Sequence, residues 1–257
     1  MAGERAPAER VHDARPGGWK RQAPRRGSEA ARGLRGLQRR VGELLAEWPL
    51  IREGDRILAA LSGGKDSYAM LEVLLSLQAK APVAFDVGAI VVDPGFPDFR
   101  ADDVARFAGE RGVETYVVRA DIETTMRDLG WQKSPCALCA RLRRGVLYRV
   151  APDLGYPTLA LGHHADDALE TVLMNMFFNG HLRGLAPVWQ PAEPGAPRVI
   201  RPLATCFEAD VEAYAKQRAF HLVDSACPIC RVPETERLAI EHWLIELSAE
   251  HPRLRQS

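Results

Sequence analysis

The sequence has no apolar run that approaches the roughly 20 residues needed for a membrane-spanning helix, and it has only five cysteines among 257 residues. Neither a membrane protein nor a disulfide-rich secreted domain is therefore expected. The N-terminus is polar and rich in Arg and Pro, without the apolar region of a secretory signal. The length allows one substantial hydrophobic core, so we expect a soluble cytoplasmic protein.

Positive charge is concentrated in the first forty residues, although the formal net charge of the whole chain is zero. This segment contains eleven Lys or Arg residues and four Asp or Glu residues, a net charge of +7, so the rest of the chain carries −7. Residues 1–30 are predicted to form a disordered basic extension, and residues 31–250 a single domain. A basic arm favours a polyanionic partner such as RNA; a solvated tail without a partner has the same composition.

Short apolar runs alternate with helical patterns beyond residue 50, which predicts an α/β fold. The expected architecture is a parallel twisted sheet of about five strands with helices on both faces. The predicted strands are 56–61, 88–92, 115–119, 158–161 and 199–203. The predicted helices are 34–48, 67–80, 98–111, 138–154, 165–179, 208–218 and 234–249. Residues 180–197, rich in Gly and Pro, are predicted to form a long loop.

The first chemical motif lies between the first predicted strand and the helix after it, and consists of Ser62, Gly63, Gly64, Lys65, Asp66 and Ser67. At this position backbone N–H groups of a helix N-terminus can hold an anion, and glycine permits close approach of phosphate. Lys65 adds a cation. Asp66 would repel phosphate by itself, so it is explained either by a bridging Mg²⁺ or by a role in ordering the backbone. This is not a Walker A loop. It resembles the SGGxDS signature of PP-loop enzymes, which release pyrophosphate from ATP; the alternative is an ordinary turn with a Ser cap.

The second motif follows the fourth predicted strand and consists of Gly162, His163, His164, Ala165, Asp166 and Asp167. Ligands of open parallel sheets bind beyond the carboxyl ends of the strands, where the first motif also lies. We expect Gly162, His163 and Asp167 to contact ATP, with carboxylates available to Mg²⁺. Alternatively, Asp166 and Asp167 simply cap the following helix.

Four of the five cysteines form two C-x-x-C pairs, Cys136 with Cys139 and Cys227 with Cys230. In a cytosolic protein such pairs indicate metal or redox chemistry more often than disulfides. A helix N-terminus and neighbouring arginines are expected to lower the thiol pKa values. A four-Cys zinc site is the alternative, but 87 residues separate the pairs, whereas zinc ribbons have roughly 15–20. Cys206 is expected to be a buried bystander.

Basic residues follow the first cysteine pair and recur downstream. Candidates for contacts with RNA phosphates are Arg141, Arg143, Arg144 and Arg183, with His181 and Arg201 as further members. The alternative is a solvated basic helix face.

In this order, the motifs resemble the tRNA 2-thiocytidine synthetase family (TtcA) of PP-loop enzymes, over about residues 35–248. The segments that carry the resemblance are SGGKDS at 62–67, CALCARLRRG at 136–145, GHHADD at 162–167, LMNMFF at 173–178, IRPL at 200–203 and CPIC at 227–230. The resemblance implies an adenine nucleotide alpha-hydrolase-like fold.

It also implies thiolation of cytidine 32 in tRNA with Mg²⁺ and ATP, a homodimer, and a sulfur donor such as a cysteine desulfurase. Cys136, Cys139 and Cys227 would hold a [4Fe-4S] cluster, with Cys230 as a non-ligand. These cysteines and Asp66 would be the catalytic residues. The proposed chemistry, adenylation of the base followed by sulfur transfer, requires the three cysteines to converge beside residues 62–67.

Other classes share parts of this pattern. A 2-thiouridine synthetase shares the motifs, whereas a lysidine synthetase does not need the C-x-x-C pairs. An ammonia-using ligase such as an NAD or GMP synthetase accounts for neither the cysteines nor the basic segments. A zinc-bound RNA-binding protein without catalytic activity would use the cysteines alone.

Overall fold

A twisted sheet lies at the centre of the computed structural model, which describes residues 7–130, 135–224, 227 and 236–251. Its strands within these ranges are β1 Ala8–His12, β2 Asp55–Leu61, β3 Phe85–Asp93, β4 Glu114–Arg119, β5 Thr158–Ala160, β6 Val188–Trp189 and β7 Arg198–Ile200. The strand order is β1-β4-β3-β2-β5-β7-β6. The five inner strands are parallel, and the edge strands β1 and β6 are antiparallel to their neighbours. The predicted α/β class is confirmed, with two antiparallel edge strands beyond the five predicted.

Helices cover both faces of this sheet. Those described are α1 Gly18–Gln22, α2 Glu29–Glu47, α3 Lys65–Gln78, α4 Ala101–Glu110, α5 Ile122–Asp128, α6 Pro135–Asp153, α7 Ala165–Phe178, α8 Glu208–Gln217 and α9 Glu236–Glu250. Side chains of β2 alternate between two cores, because successive residues of a strand point to opposite faces. Ile57 and Ala59 pack with helices α2, α3, α4 and α8, whereas Leu58 packs with α5 and α6.

The N-terminal segment differs from its predicted disorder. Ala8 and Arg10 of β1 pair with Val118 and Tyr116 of β4, and Arg10 forms an ion pair with Glu114 at 3.1 Å. The strand is held mainly by backbone hydrogen bonds, which a polar edge strand forms without an apolar pattern. Composition therefore gave no sign of it. Residues 1–6 lie outside the described ranges.

Three short elements were also missed. Helix α1 has five residues and lies in the segment predicted to be disordered, helix α5 is only seven residues long, and β6 is a two-residue strand within the predicted loop at 180–197. The other predicted helices and strands are present with shifted ends. No helix in the described ranges is long and apolar enough to cross a membrane.

A buried ionic cluster fastens α3 to its neighbours. Glu72 is fully buried and accepts hydrogen bonds from Arg111 Nε at 3.0 Å and Arg218 Nε at 2.8 Å. The hydroxyl of Tyr214 also donates to Glu72. Arg218 in addition donates to the carbonyl of Gln22 at 2.7 Å. The cluster thus joins α4, α8 and the N-terminal segment to the helix that follows the first motif.

Candidate active site

A cavity of about 350 Å³ opens at the carboxyl ends of β2, β3 and β5. Its polar lining comes from both predicted motifs, from α6 and from α9, and comprises Ser62, Asp66, Ser67, Arg143, Gly162, His163, Asp167 and Arg237. The carboxyl edge of a parallel sheet is where such folds bind ligands. The structure therefore brings the two sequence motifs together as expected.

The turn at 62–67 is organised by its own serines and glycines. Ser67 Oγ accepts from the Ser62 N–H at 3.2 Å and donates to the Gly64 carbonyl at 2.9 Å. Gly63 has φ of +86°, and an added Cβ would lie 2.9 Å from Val223 Cβ. Gly64 is the N-cap residue of α3 and has no side chain to cap it. The turn is therefore shaped before any ligand binds, with the first N–H groups of α3 behind it.

The side chains of Lys65 and Asp66 face different parts of the surface. Lys65 Nζ lies 2.8 Å from Glu208 Oε1 and lines a neighbouring groove with Glu208 rather than the cavity. Burial lowers the pKa of Lys65, but the hydrogen bond and charge of Glu208 and Asp66 outweigh it, so that the pKa is raised. Burial raises the pKa of Asp66, and Lys65 and His164 partly oppose this effect. Asp66, not Lys65, is the charged side chain that the turn presents to the cavity.

The second motif both caps α7 and lines the cavity. His164 is the N-cap residue: its N–H donates to Asp167 Oδ2 at 2.9 Å, and its Nδ1 accepts from the Asp167 N–H at 3.3 Å. Asp166 Oδ2 instead accepts from the Glu208 N–H at 2.7 Å and caps α8. Capping therefore accounts for Asp166, whereas Asp167 combines capping with a place in the cavity.

Gly162 brings the two motifs into contact. A Cβ added there would lie 3.1 Å from the carbonyl carbon of Asp66 and from the nitrogen of Ser67. Contacts below about 3.4 Å are tighter than most Cβ atoms make, so a larger residue at this position would require the backbone at Asp66 and Ser67 to shift by a few tenths of an ångström. The next residue, His163, is largely buried, and burial lowers the pKa of its imidazole to about 4. His163 is therefore neutral at physiological pH.

Three residues of the lining have a buried polar atom without a hydrogen-bond partner among the described residues: Asp66 Oδ1, Arg143 Nε and His163 Nδ1. Asp66 Oδ1 still lies 3.2 Å from Lys65 Nζ, within ion-pair distance but without hydrogen-bond alignment. Buried polar groups in proteins nearly always have partners. The cavity thus contains a donor and acceptors that a polar ligand can satisfy.

Cys136, Cys139 and Cys227 lie close enough to affect one another. Burial raises the pKa of the Cys139 thiol, Arg143 opposes this, and the charges of Cys227 and Cys136 raise it further. The lowered thiol pKa predicted from the sequence is therefore wrong for Cys139, because burial outweighs the arginine. Cys136 is exposed, Cys139 half-buried and Cys227 buried, and none of the three forms a disulfide. The structure thus places Cys136, Cys139 and Cys227 within electrostatic range of one another.

Two connections place these thiols beside the cavity. Arg143, one helical turn after Cys139, lines the cavity, and the Val223 N–H donates to the Gly63 carbonyl at 3.0 Å. The second contact holds the segment leading to Cys227 against the turn at 62–67. Among the described side chains, no three His, Cys, Asp or Glu residues could hold one metal ion together. Cys230 lies outside the described ranges.

The remaining predicted residues differ in their burial and contacts. Cys206 is fully buried, and burial raises its pKa to about 12, as expected for a bystander. Arg141, Arg144 and Arg183 are exposed. Arg201 is buried and donates from Nη1 to the Ala186 carbonyl at 2.6 Å; its role is structural.

Arg237 of α9 is the site residue that sequence reasoning missed. Its Nε donates to Glu170 Oε2 at 2.8 Å, its guanidinium also pairs with Asp167, and it lines the cavity. Asp167 and Glu170 share one face of α7 because they are three residues apart. This spacing indicates that both carboxylates face one partner, but not that the partner comes from a helix seventy residues downstream.

Comparison with known proteins agrees with this geometry. A family model described as PP-loop domain matches residues 34–227. The chain is 41% identical to the tRNA-cytidine(32) 2-sulfurtransferase of Pseudomonas putida over 223 residues, covering 86% of this chain and 80% of the relative. It is 42% identical to the protein of the same name from Geobacter metallireducens over 226 residues, 87% of each chain.

Among solved structures, the U34-tRNA thiolase NcsA from Methanococcus maripaludis, with its [4Fe-4S] cluster, is similar with a TM-score of 0.72 and 25% identity. The match covers 88% of this chain and 76% of that one.

Proposed function

The chain belongs to the PP-loop family, in the group of the tRNA-cytidine(32) 2-sulfurtransferases, and we propose that it exchanges the C2 oxygen of cytidine 32 in tRNA for sulfur at the expense of ATP. The observation that carries the proposal is the meeting of two sites. The cavity has polar atoms of Asp66, Arg143 and His163 without hydrogen-bond partners among the described residues. Arg143 lies one helical turn from Cys139, and Cys136, Cys139 and Cys227 lie within electrostatic range of one another. An enzyme that activates a base with ATP and then gives it sulfur needs both sites side by side.

The turn at 62–67 is proposed to bind the phosphates of ATP. Backbone N–H groups at the start of α3 supply donors, and the unpartnered Nε of Arg143 adds a charged one. Asp66 and Asp167 are proposed to hold Mg²⁺ through their oxygens, the ligands that this ion prefers. The neutral imidazole of His163 offers Nδ1 to the nucleotide as a hydrogen-bonding atom.

The oxygen at C2 of cytosine is a poor leaving group, so it must be activated before sulfur can replace it. The O2 oxygen of the cytosine attacks the α-phosphate of ATP, an O–P bond forms and pyrophosphate leaves. Sulfur then attacks C2, the C2–O bond breaks, and the oxygen departs with AMP. The chain holds the phosphates in line for the first step and stabilises the negative charge that develops on them.

Cys136, Cys139 and Cys227 are proposed to hold a [4Fe-4S] cluster. They are unbridged and lie within electrostatic range of one another. The thiolate ligands of a cluster bind different iron atoms, so they need not converge on one point as the ligands of a single ion do. When bound, a cluster with three protein ligands has one iron free to carry the sulfur that is transferred.

The proposal includes partners as well. The substrate is tRNA, whose anticodon-loop bases can be unstacked at less cost than bases in a duplex. Sulfur is proposed to come from a cysteine desulfurase. We place the reaction in the cytoplasm.

We also propose that the protein forms a homodimer. The reason is that α7 has nine apolar residues of which none is buried.

Nucleoside analysis of tRNA tests this function. A tRNA transcript with cytidine at position 32 is incubated anaerobically with the full-length protein, reconstituted with iron and sulfide, plus Mg²⁺–ATP and a sulfide source. We expect 2-thiocytidine in the digested RNA, with release of AMP and pyrophosphate. Cys136→Ser should abolish the product and retain ATP binding, whereas Cys206→Ser, which alters a cysteine outside the site, should be active.

The same experiment separates the rival activities. Sulfur found in a uridine would assign a 2-thiouridine enzyme instead. ATP turnover without any thionucleoside, or stoichiometric zinc without ATP turnover, would refute the thiolation proposal.

A further inference from the structure

The outer face of α6 carries a row of basic and aromatic residues that begins beside the cysteines. Arg141, Arg144, Gly145 and Tyr148 are spaced by three and four residues and therefore share one face of the helix. Arg141, Arg144 and Gly145 are exposed, and Tyr148 is half-buried. Gly145 lies six residues after Cys139, about 9 Å further along the helix axis. Arg143 and Leu147 of the same helix line the cavity, so the row runs along the helix beside it.

Gly145 has no packing reason to be glycine. A Cβ added there would meet no described atom within 4 Å. By contrast, a Cβ at Gly33 of α2 would lie 2.6 Å from Gln217 Oε1. Glycine inside a helix lowers its stability relative to alanine. Gly36 and Gly42 of α2 are equally open, so an open glycine does not by itself indicate a ligand. At Gly145 it leaves the bare backbone of α6 accessible to an external molecule beside Arg141 and Arg144.

Tyr148 and Trp189 form an aromatic pair at the far end of the row. Their ring centroids are 6.0 Å apart with planes inclined by 43°, and Trp189 is 43% exposed. Trp189 is held by pairing with Val199 of β7, and the Arg201 N–H donates to the Pro187 carbonyl at 2.8 Å. An exposed aromatic ring on a fixed strand offers a surface on which an unpaired base can stack.

The positive charge of this face of α6 indicates what kind of partner it binds. Arg144 donates from Nε to the Ala140 carbonyl at 3.3 Å, and neither Arg141 nor Arg144 forms an ion pair within the described part of the chain. Two free guanidinium groups beside exposed aromatic rings suit a single-stranded polyanion with bases. They do not suit a purely apolar protein partner.

We propose that this face of α6, defined by Arg141, Arg144, Gly145, Tyr148 and Trp189, is the docking surface for the unpaired tRNA segment that flanks the modified nucleotide. The RNA backbone approaches α6 at Gly145 between the arginines, and one flanking base stacks on Trp189. The inference rests on the proposed function, since it assumes that tRNA is the substrate.

Two glycine substitutions test the surface. Gly145→Ala is compared with Gly42→Ala, which alters an exposed glycine of α2 whose added Cβ also meets no described atom within 4 Å. Both variants should raise the thermal midpoint by about 2–4 °C. Gly145→Ala should weaken binding of the unmodified tRNA transcript by roughly fivefold or more, whereas Gly42→Ala should bind it like the wild type. ATP affinity should be unchanged in both.

Two further variants identify the contacts. Trp189→Leu should weaken tRNA binding by about tenfold, the loss of one stacked base. Arg144→Gln should reduce the slope of log K against log salt by about 0.7, the effect of one lost phosphate contact on a single strand.

The results of these experiments distinguish a failure of the docking surface from a failure of the proposed function. Wild-type tRNA affinity in Gly145→Ala, or an equal loss in Gly42→Ala, overturns the docking surface while the thiolation assay of the wild type stands. Loss of self-association in Gly145→Ala, with normal tRNA affinity, also overturns it and assigns the face to a second copy of the chain. A wild-type protein that neither binds nor thiolates tRNA refutes the proposed function itself.

Discussion

At the scale of single residues, the cavity is defined by a few atoms that the fold leaves without partners. Asp66 Oδ1, Arg143 Nε and His163 Nδ1 are buried and have no hydrogen-bond partner among the described residues. Lys65, which looks equally suited to phosphate, is paired with Glu208. The chemistry of the site therefore depends on which side chains remain available after the helices have packed, not only on which residue types the motifs contain.

The first prediction concerns the contact between the two motifs. Gly162→Ala forces a methyl group to within 3.1 Å of the Asp66 and Ser67 backbone. We expect a loss of about 1–3 kcal/mol in the free energy of unfolding and a large loss of ATP affinity, measured by urea unfolding and calorimetry. Gly36→Ala, where an added Cβ meets no described atom within 4 Å, is the control. Normal ATP affinity in Gly162→Ala would show that the close approach has no role in binding.

The second prediction concerns pH. Burial lowers the pKa of His163 to about 4 from its ordinary value of 6.5. Below pH about 6.5 the unfolded state binds more protons than the folded state, so the stability contributed by neutral His163 is lost as the pH falls toward about 4. Urea unfolding at pH 7 and pH 5 should show a smaller decrease in His163→Asn than in the wild type. Equal decreases would argue against a buried, neutral imidazole.

At the scale of secondary-structure elements, α3 is anchored at its middle by charge, and the turn at 62–67 lies at its start. Glu72→Gln leaves Arg111 and Arg218 without a negative partner in a buried cluster. We expect a loss of about 3–5 kcal/mol in the free energy of unfolding, measured by urea titration. Lys216→Ala removes the exposed ion pair with Glu212 and should change stability little. Similar small effects of both substitutions would contradict the structural role of Glu72.

The same scale shows what the sequence could and could not predict. The inner strands were predictable because buried parallel strands are continuous apolar runs, and β2 is one. The meeting of the two motifs was predictable because both follow strands that end at the same edge. Strand β1 and the place of Arg237 were not, because each depends on a tertiary contact, with β4 and with α7, that no local pattern records.

At the scale of the whole molecule, one surface is too apolar to be explained by the fold alone. The only buried residues of α7 are Asp166 and Glu170. Phe177 at its end is exposed and contacts Trp243 of α9, with ring centroids 5.9 Å apart. Large exposed apolar patches usually mark interaction sites. This surface is the place where the proposed dimer would form.

The last prediction tests that assembly. Phe177→Asp should shift the protein from dimer to monomer in sedimentation experiments while leaving ATP affinity unchanged. Trp48→Asp, which alters a ring of 40% exposure at the end of α2, should remain dimeric. A wild-type protein that sediments as a monomer at all concentrations would remove the dimer from the proposal.

The hydrogen bond from Val223 to the Gly63 carbonyl has a thermodynamic consequence. It joins the turn at 62–67 to Val223, four residues before Cys227, so we expect a ligand that displaces either of these positions to displace the other as well. Linkage between two sites is reciprocal. If a ligand at the cysteines changes the affinity of the turn for nucleotide by some factor, nucleotide changes the affinity for that ligand by the same factor. Nucleotide titrations of the metal-free and metal-loaded forms would yield this coupling constant directly.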